Sequence, residues 1–188
     1  MQNKRNIFVI SGPSGSGKNT VYDGVRALLP DIAQTVSATT RPPREGETDG
    51  IDYYFLSEES FREHIENGDF IEYVRYGHNY YGTLKSEIER LSRLDKIIVL
   101  IIEVNGALRF KELFPESVSI FIIPPSVKEL KRRIIKRGQN TDEELKKRLS
   151  IAQFEMTLKD RYDYCVVNDE IDKCINEVYN IIKGDRII

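Results

Sequence analysis

Asn6-Ile7-Phe8-Val9-Ile10-Ser11-Gly12-Pro13-Ser14-Gly15-Ser16-Gly17-Lys18-Asn19-Thr20 is the stretch on which the reading of this chain turns. Its first six residues form a short apolar run rich in branched side chains, which predicts a buried strand. From Lys18 to Leu29 the apolar residues Val21, Val25, Leu28 and Leu29 recur at helical spacing, and Pro30 ends the pattern. Between strand and helix, Gly12 to Lys18 matches G-x-x-x-x-G-K. Backbone amides of such a tight glycine loop wrap phosphate oxygens, the lysine reaches the β and γ phosphates, and the helix adds the positive end of its dipole. An ordinary strand-to-helix turn is the plainer reading of two glycines and a lysine, and the position between a buried strand and a helix argues against it. Asn19 stands where a Ser or Thr hydroxyl normally touches Mg²⁺, with Thr20 one place later. An amide oxygen also serves a hydrated Mg²⁺, so the metal is expected to be held largely through phosphates and water, with no dedicated protein ligand set.

Working outward, Ile97 to Ile102 is a six-residue apolar run, as expected of a strand buried on both faces of a parallel sheet. Val118 to Ile123 and Tyr164 to Val167 read as further strands. Helices are predicted over 105–113, from a Ser126 cap to about Arg137, after a capping box formed by Thr141 and Glu144, and over 171–182. Strands alternating with helices mean an α/β fold with a central parallel sheet, helices making the outer layers. Residues 38–83 have a different character. A strand candidate runs from Gln34 to Ser37, a loop with Pro42, Pro43, Gly46 and Gly50 leads into Asp52 to Leu56, and Ser57 caps a helix that Gly68 ends. Phe70 to Tyr76 alternates like a strand, Asn79 to Gly82 reads as an aromatic turn, and a helix follows from about Leu84 to Arg93. We take 38–83 as an inserted subdomain.

Composition bounds the partners. The chain has 188 residues, the size of one domain with insertions, and 28 Lys+Arg against 30 Asp+Glu gives a formal charge of −2. That balance argues against a dedicated nucleic-acid binder. Yet residues 131–148 hold eight basic and three acidic side chains, a strip of +5 set against −7 elsewhere. No apolar run approaches the roughly 20 residues of a membrane span, and Ile7 to Ile10 is too short for a secretory signal core, so a cytoplasmic protein without membrane partners is expected. Cys165 and Cys174 read as packing residues, and His64 and His78, with no triad or metal partners nearby in sequence, as surface residues.

The acceptor of a phosphate-transfer site must be read elsewhere. Ser37-Ala38-Thr39-Thr40-Arg41-Pro42-Pro43-Arg44-Glu45-Gly46-Glu47 is the candidate. An extended proline-rich segment has three residues per turn, which would place Arg41 and Arg44 on one face, and guanidinium forks suit phosphate oxygens. Alone, the segment reads at least as well as a solvated basic loop. Tyr53 and Tyr81 add hydroxyl donors, and Ser37, Glu72 and Thr83 add donors and acceptors in the same inserted region.

Taken in order, GPSGSGK, VSATTRPPREGE, GIDYYF, FIEY, NYYGT, RG and VVND resemble the guanylate kinase family over nearly the whole chain. The resemblance implies a P-loop nucleoside monophosphate kinase: a core over 5–37, 84–124 and 151–184, a GMP-binding subdomain over 38–83, and a lid over 125–150. It implies transfer of the γ-phosphoryl of ATP to GMP, and to dGMP, in purine nucleotide metabolism. Gly12 to Thr20 and Asn168 match the ATP-binding positions, Asn168 lying near the adenine. Arg41, Arg44, Tyr53 and Tyr81 match those that hold the GMP phosphate; Ser37, Glu72 and Thr83 match those that read guanine, and Glu103 matches a further GMP-binding acid. Lys18, Arg41, Arg137 and Arg148 match the catalytic cations. One departure stands out. The family usually has two acids one apart before V-x-G, whereas Ile101 here replaces the first of them and Glu103 keeps the second. A related kinase with another phosphorylated acceptor, and a non-catalytic guanylate-kinase-like binding module, remain as alternatives at this point.

Overall fold

Among the residues described by the structure, a computed structural model covering 6–136 and 141–185, nine strands fall into two sheets. In chain order the elements are β1 (Ile7–Ser11), α1 (Lys18–Leu28), β2 (Ile32–Gln34), β3 (Ala38–Thr39), β4 (Tyr54–Phe55), α2 (Glu58–Glu66), β5 (Phe70–Tyr76), β6 (Asn79–Leu84), α3 (Lys85–Arg93), β7 (Ile97–Ile101), α4 (Val104–Leu113), β8 (Val118–Ile123), α5 (Val127–Lys136), α6 (Asp142–Met156), β9 (Tyr164–Val167) and α7 (Ile171–Asp185). Five strands lie in the order β2-β7-β1-β8-β9, with β1, β8 and β9 paired in parallel. The other four lie in the order β4-β3-β6-β5. The chain divides into two compact units, residues 1–32 with 99–188, and residues 33–98. The second is wider than the 38–83 insertion read from sequence.

In the first unit the strands are apolar because both of their faces are covered. Phe8, Val9, Ile10, Val99, Leu100, Ile120, Phe121 and Ile122 are all fully buried, so neither face of β1, β7 or β8 tolerates the polar alternation of a half-exposed strand. α6 opens with the capping box expected from Thr141 and Glu144. Its Leu145, Leu149 and Met156 pack with Ala152 against Leu130 and Ile134 of α5. Cys174 is buried, as a packing residue should be. Cys165 is exposed, because in β9 only Val166 turns inward.

The second unit builds on alternation instead. Ser57 caps α2 by accepting from the Ser60 amide, and Gly68, at φ 71°, follows its end. Phe61 of α2 stacks on Phe70 and Tyr80, with centroids 4.3 and 5.3 Å apart, over a core that includes Ala38 and Leu84. Two sequence expectations fail here. The segment after Gln34 is not strand, because the Val36 amide and Ser37 carbonyl are hydrogen-bonded elsewhere, to Glu87 and to the Tyr54 amide. Nor is 79–82 a turn: Gly77 and His78 make the hairpin loop, with Gly77 at φ 63°, and the aromatic residues run on as β6. His64 Nδ1 lies 2.8 Å from Asp69, a single carboxylate at the surface.

A β-bulge decides which way Glu72 points. Phe70 pairs with Leu84 while Glu72 pairs with Thr83, so two steps on β5 match one on β6 and Ile71 is the extra residue. Phe70 therefore faces the α2 core, and Glu72 is turned to the opposite face with Thr83 and Tyr81. At Gly82, on β6, a β-carbon would come within 2.8 Å of the Glu72 carbonyl oxygen and 2.9 Å of the Phe70 ring. Gly82→Ala should destabilise the fold by about 1–3 kcal/mol through overpacking, read as a lowered urea midpoint; an unchanged midpoint would show that β5 moves aside freely.

Candidate functional site

The loop between β1 and α1 is shaped for an anion. Gly12, Gly15 and Gly17 take φ of 143°, 90° and 98°. Gly17 serves as the N-cap of α1 with no side-chain cap, and the first turn of α1 carries no acidic residue. Its first amides thus have no intrahelical or side-chain cap partner among the described residues, and the helix dipole is not neutralised locally. Ser16 Oγ is fully buried without a hydrogen-bond partner among the described residues. Lys18 curls back over the loop, donating from Nζ to the Gly12 carbonyl at 2.6 Å, so its cation sits over the cradle. Asn19 and Thr20, by contrast, are exposed at the start of α1.

Asn168 supports this loop from behind. It is 4% exposed and its Nδ2 donates to the Ser16 carbonyl at 2.8 Å. The Asn168 amide donates to the Ile123 carbonyl at 2.7 Å, and its own carbonyl accepts from Arg133 Nη2 at 2.9 Å. The expected adenine neighbour is thus joined to the loop itself through its amide nitrogen. Arg148 is half-buried on α6. Glu144, one helical turn before it, is committed to Thr141, whose amide and hydroxyl hold the carboxyl below the usual range, and Arg148 adds only its charge. Arg137 lies outside the described residues.

The second unit collects the expected acceptor residues on one sheet face. Thr39 pairs with Tyr81 and with Phe55, and Thr83 with Glu72. Tyr53 lies against the Phe55 ring at 5.8 Å and so shares that face, and Ser37 immediately precedes β3. Tyr53 and Tyr81 meet edge to face at 6.2 Å. Thr83 Oγ1 donates to Glu72 Oε1 at 2.8 Å, both residues being buried. Arg41 lies over the Tyr53 ring at 5.4 Å and donates to both oxygens of Glu47 at 2.9 Å. Glu47 also accepts from the Arg44 amide at 2.7 Å. Hydrogen bonding to Arg41 pulls the Glu47 carboxyl below its ordinary range, and Glu47 in turn raises Arg41. Burial raises the Tyr53 hydroxyl, with Tyr81 adding and Arg41 opposing. Arg44 itself is exposed, and the segment turns at Gly46 instead of staying extended, so Arg41 alone is fixed in place.

Two carboxylates escaped the sequence reading. Glu47 was visible in its motif, but nothing local marked it as the partner of Arg41. Glu155 follows buried Ala152 by three residues on α6, a helical spacing that would have flagged it as inward-facing. Burial pushes its carboxyl up to about 7, with the like charge of Glu103 adding and Lys18 opposing. Glu103 is the N-cap of α4 without using its side chain as a cap, and it is exposed. Because the folded state holds the Glu155 proton above the ordinary 4.5, stability is lost as pH rises from there to about 7. Glu155→Gln should therefore melt higher than the parent at pH 8, and the gap should close toward pH 4.5. A gap independent of pH would contradict this environment for Glu155.

Comparisons with known proteins agree with these observations. The guanylate kinase family model matches residues 4–185. A guanylate kinase of Clostridium perfringens (strain SM101) is 43% identical over 184 residues, covering 98% of this chain and 85% of its own. One from Prochlorococcus marinus is 42% identical over 184 residues, covering 98% of this chain and 100% of its own. The crystal structure of guanylate kinase from Anaplasma phagocytophilum superposes with a TM-score of 0.77 at 34% identity, covering 97% of this chain and 86% of that one. With residues 4–185 matched by the family model and relatives 42–43% identical over 184 residues, the chain belongs to the guanylate kinase family.

Proposed function

We infer that this chain transfers the γ-phosphoryl group of ATP to GMP, giving ADP and GDP. The observation that carries the reading is the shared sheet face, on which the Glu72–Thr83 pair stands with Tyr53 and Tyr81, and Arg41 lies over Tyr53. A carboxylate such as Glu72 accepts from guanine N1–H and the 2-amino group, a donor edge that adenine lacks, and Thr83 fixes its orientation. Ser37 completes the base contacts, and Glu103 adds a carboxylate. Arg41, Arg44 and the two tyrosine hydroxyls take the GMP phosphate. None of these contacts reads the ribose 2′ position, so dGMP belongs to the same substrate class.

ATP fits the cradle from Gly12 to Thr20. The uncapped amides of α1 receive its phosphates, Lys18 leaves the Gly12 carbonyl for them, and Asn168 holds the loop they rest on. The exposed neutral oxygens of Asn19 and Thr20 suit a hydrated Mg²⁺ that is itself held by the phosphates. When bound, Mg²⁺ neutralises charge on the triphosphate. In the reaction an oxygen of the GMP phosphate bonds to the γ-phosphorus, and the bond to the β–γ bridging oxygen breaks, leaving ADP. The acceptor is already anionic, so no general base is required. Catalysis consists of alignment and charge stabilisation by Lys18, Arg41, Arg148 and Arg137, the last two being lid cations over 125–150. On this reading the chain works in the cytoplasm, where both nucleotides are used.

A coupled ADP-release assay offering GMP, dGMP, AMP, UMP and ribose phosphates tests the reading, with Lys18→Ala as control. Turnover is expected with GMP and dGMP and lost in the control; best turnover with AMP or UMP would overturn the guanine assignment. Ile101→Asp restores the missing acid of the family pattern. Since one charged hydrogen bond is worth roughly 1.5–3 kcal/mol, it should lower the GMP KM about tenfold or more and sharpen the preference for GMP over AMP. Unchanged KM and preference would show that position 101 does not reach the base.

A further inference from the structure

The second unit contains a carboxylate that the phosphate-transfer chemistry does not use. Glu87 lies in the first turn of α3, and its side chain is only 2% exposed. Its Oε2 accepts from the Val36 amide at 2.8 Å and from Arg90 Nη2 at 3.0 Å; its Oε1 accepts from the Tyr54 hydroxyl and from Arg90 Nε, both at 2.8 Å. Burying a carboxylate is unfavourable without such partners. Burial alone would push Glu87 up, but Arg90, the Val36 amide and the Tyr54 hydroxyl outweigh it and hold the carboxyl below its ordinary range. The group is therefore a permanent anion near neutral pH, and it sits at the positive end of α3.

Its two distant partners adjoin acceptor residues. Val36 immediately precedes Ser37, and Tyr54 immediately follows Tyr53. The Tyr54 amide donates to the Ser37 carbonyl at 2.9 Å, so Glu87, Val36, Ser37 and Tyr54 close a ring of hydrogen bonds. Tyr54 packs into the α2 core, which by alternation turns Tyr53 to the other face of the sheet. We propose that Glu87 is a positioning residue for GMP, one that never touches the nucleotide but fixes the two backbone segments from which Ser37 and Tyr53 reach it. This rests on the GMP reading of that sheet face. The arrangement separates position from contact: helix α3 sets where the readers stand, while the sheet sets which way they face.

The test compares steady-state kinetics of the parent, Glu87→Gln and Tyr54→Phe at pH 7.5, with GMP and ATP varied separately. Glutamine keeps the size of the side chain but presents one amide NH₂ to a ring of donors, whereas phenylalanine removes only the arm to β4. Glu87→Gln should raise the GMP KM about tenfold while kcat and the ATP KM stay within about twofold. Tyr54→Phe should raise the GMP KM about threefold, and the double variant should match Glu87→Gln, since both act through one ring. Variants that melt lower but keep the parent GMP KM would overturn the proposal, leaving Glu87 a packing element. Equal losses in kcat and in use of both nucleotides would also overturn it. If Glu87→Gln fails to fold, an unchanged GMP KM in Tyr54→Phe is decisive against the ring. A parent that does not turn over GMP at all would defeat the GMP reading itself, and the proposal with it.

Discussion

At Gly12 a β-carbon would overlap the Ile122 carbonyl oxygen, and at Gly17 it would overlap the Asn168 amide nitrogen. Both glycines hold positive φ that other residues rarely adopt. Each is pressed against the end of a core strand: Ile122 lies in β8, and Asn168 follows β9 directly. The phosphate loop can approach the sheet this closely only because those side chains are missing. The close approach brings the Ser16 carbonyl within 2.8 Å of Asn168, leaves α1 to begin uncapped, and sets Lys18 above the loop. Loop, helix start and sheet are thus held together, and a helix start whose first amides have no intrahelical partner suits an anion.

Much of that arrangement was legible before any coordinates. A glycine loop between an apolar strand and an amphipathic helix is a local pattern, and so are the Ser57 cap and the Thr141–Glu144 box; each depends on residues within a few positions. The unbroken apolar run of β7, and β8 with Ser119 as its one polar residue, announced burial on both faces. What sequence did not show was long-range. Strict alternation along β5 would have put Phe70 and Glu72 on one face, and only the bulge at Ile71 separates them. Tyr80-Tyr81-Gly82 has turn-like composition, yet cross-strand pairing with β3 and β5 makes it strand. Glu87 looks like a helix-surface charge until its partners across the fold are known, Val36 lying 51 residues away.

Charge follows the same division between local and distant. The near-neutral total conceals a basic strip, but the strip is not uniformly available. Arg132 and Arg133 both engage Glu129 of α5, and together they hold its carboxyl down to about 2. Arg133 also ties the Asn168 carbonyl, so part of the cationic surplus is structural and supports the loop from outside. On the second unit, both oxygens of Glu47 hold Arg41 in one orientation, so its guanidinium is ordered in the free protein.

Everything in this arrangement converges on one event, the passage of a phosphoryl group from ATP to GMP. Phosphorus NMR of the chain with ATP, Mg²⁺ and GMP follows every phosphorus at once. The account predicts that ADP and GDP appear in equal amounts as ATP and GMP disappear, with no orthophosphate. Accumulation of orthophosphate without GDP would mean that water is the acceptor, and would contradict it.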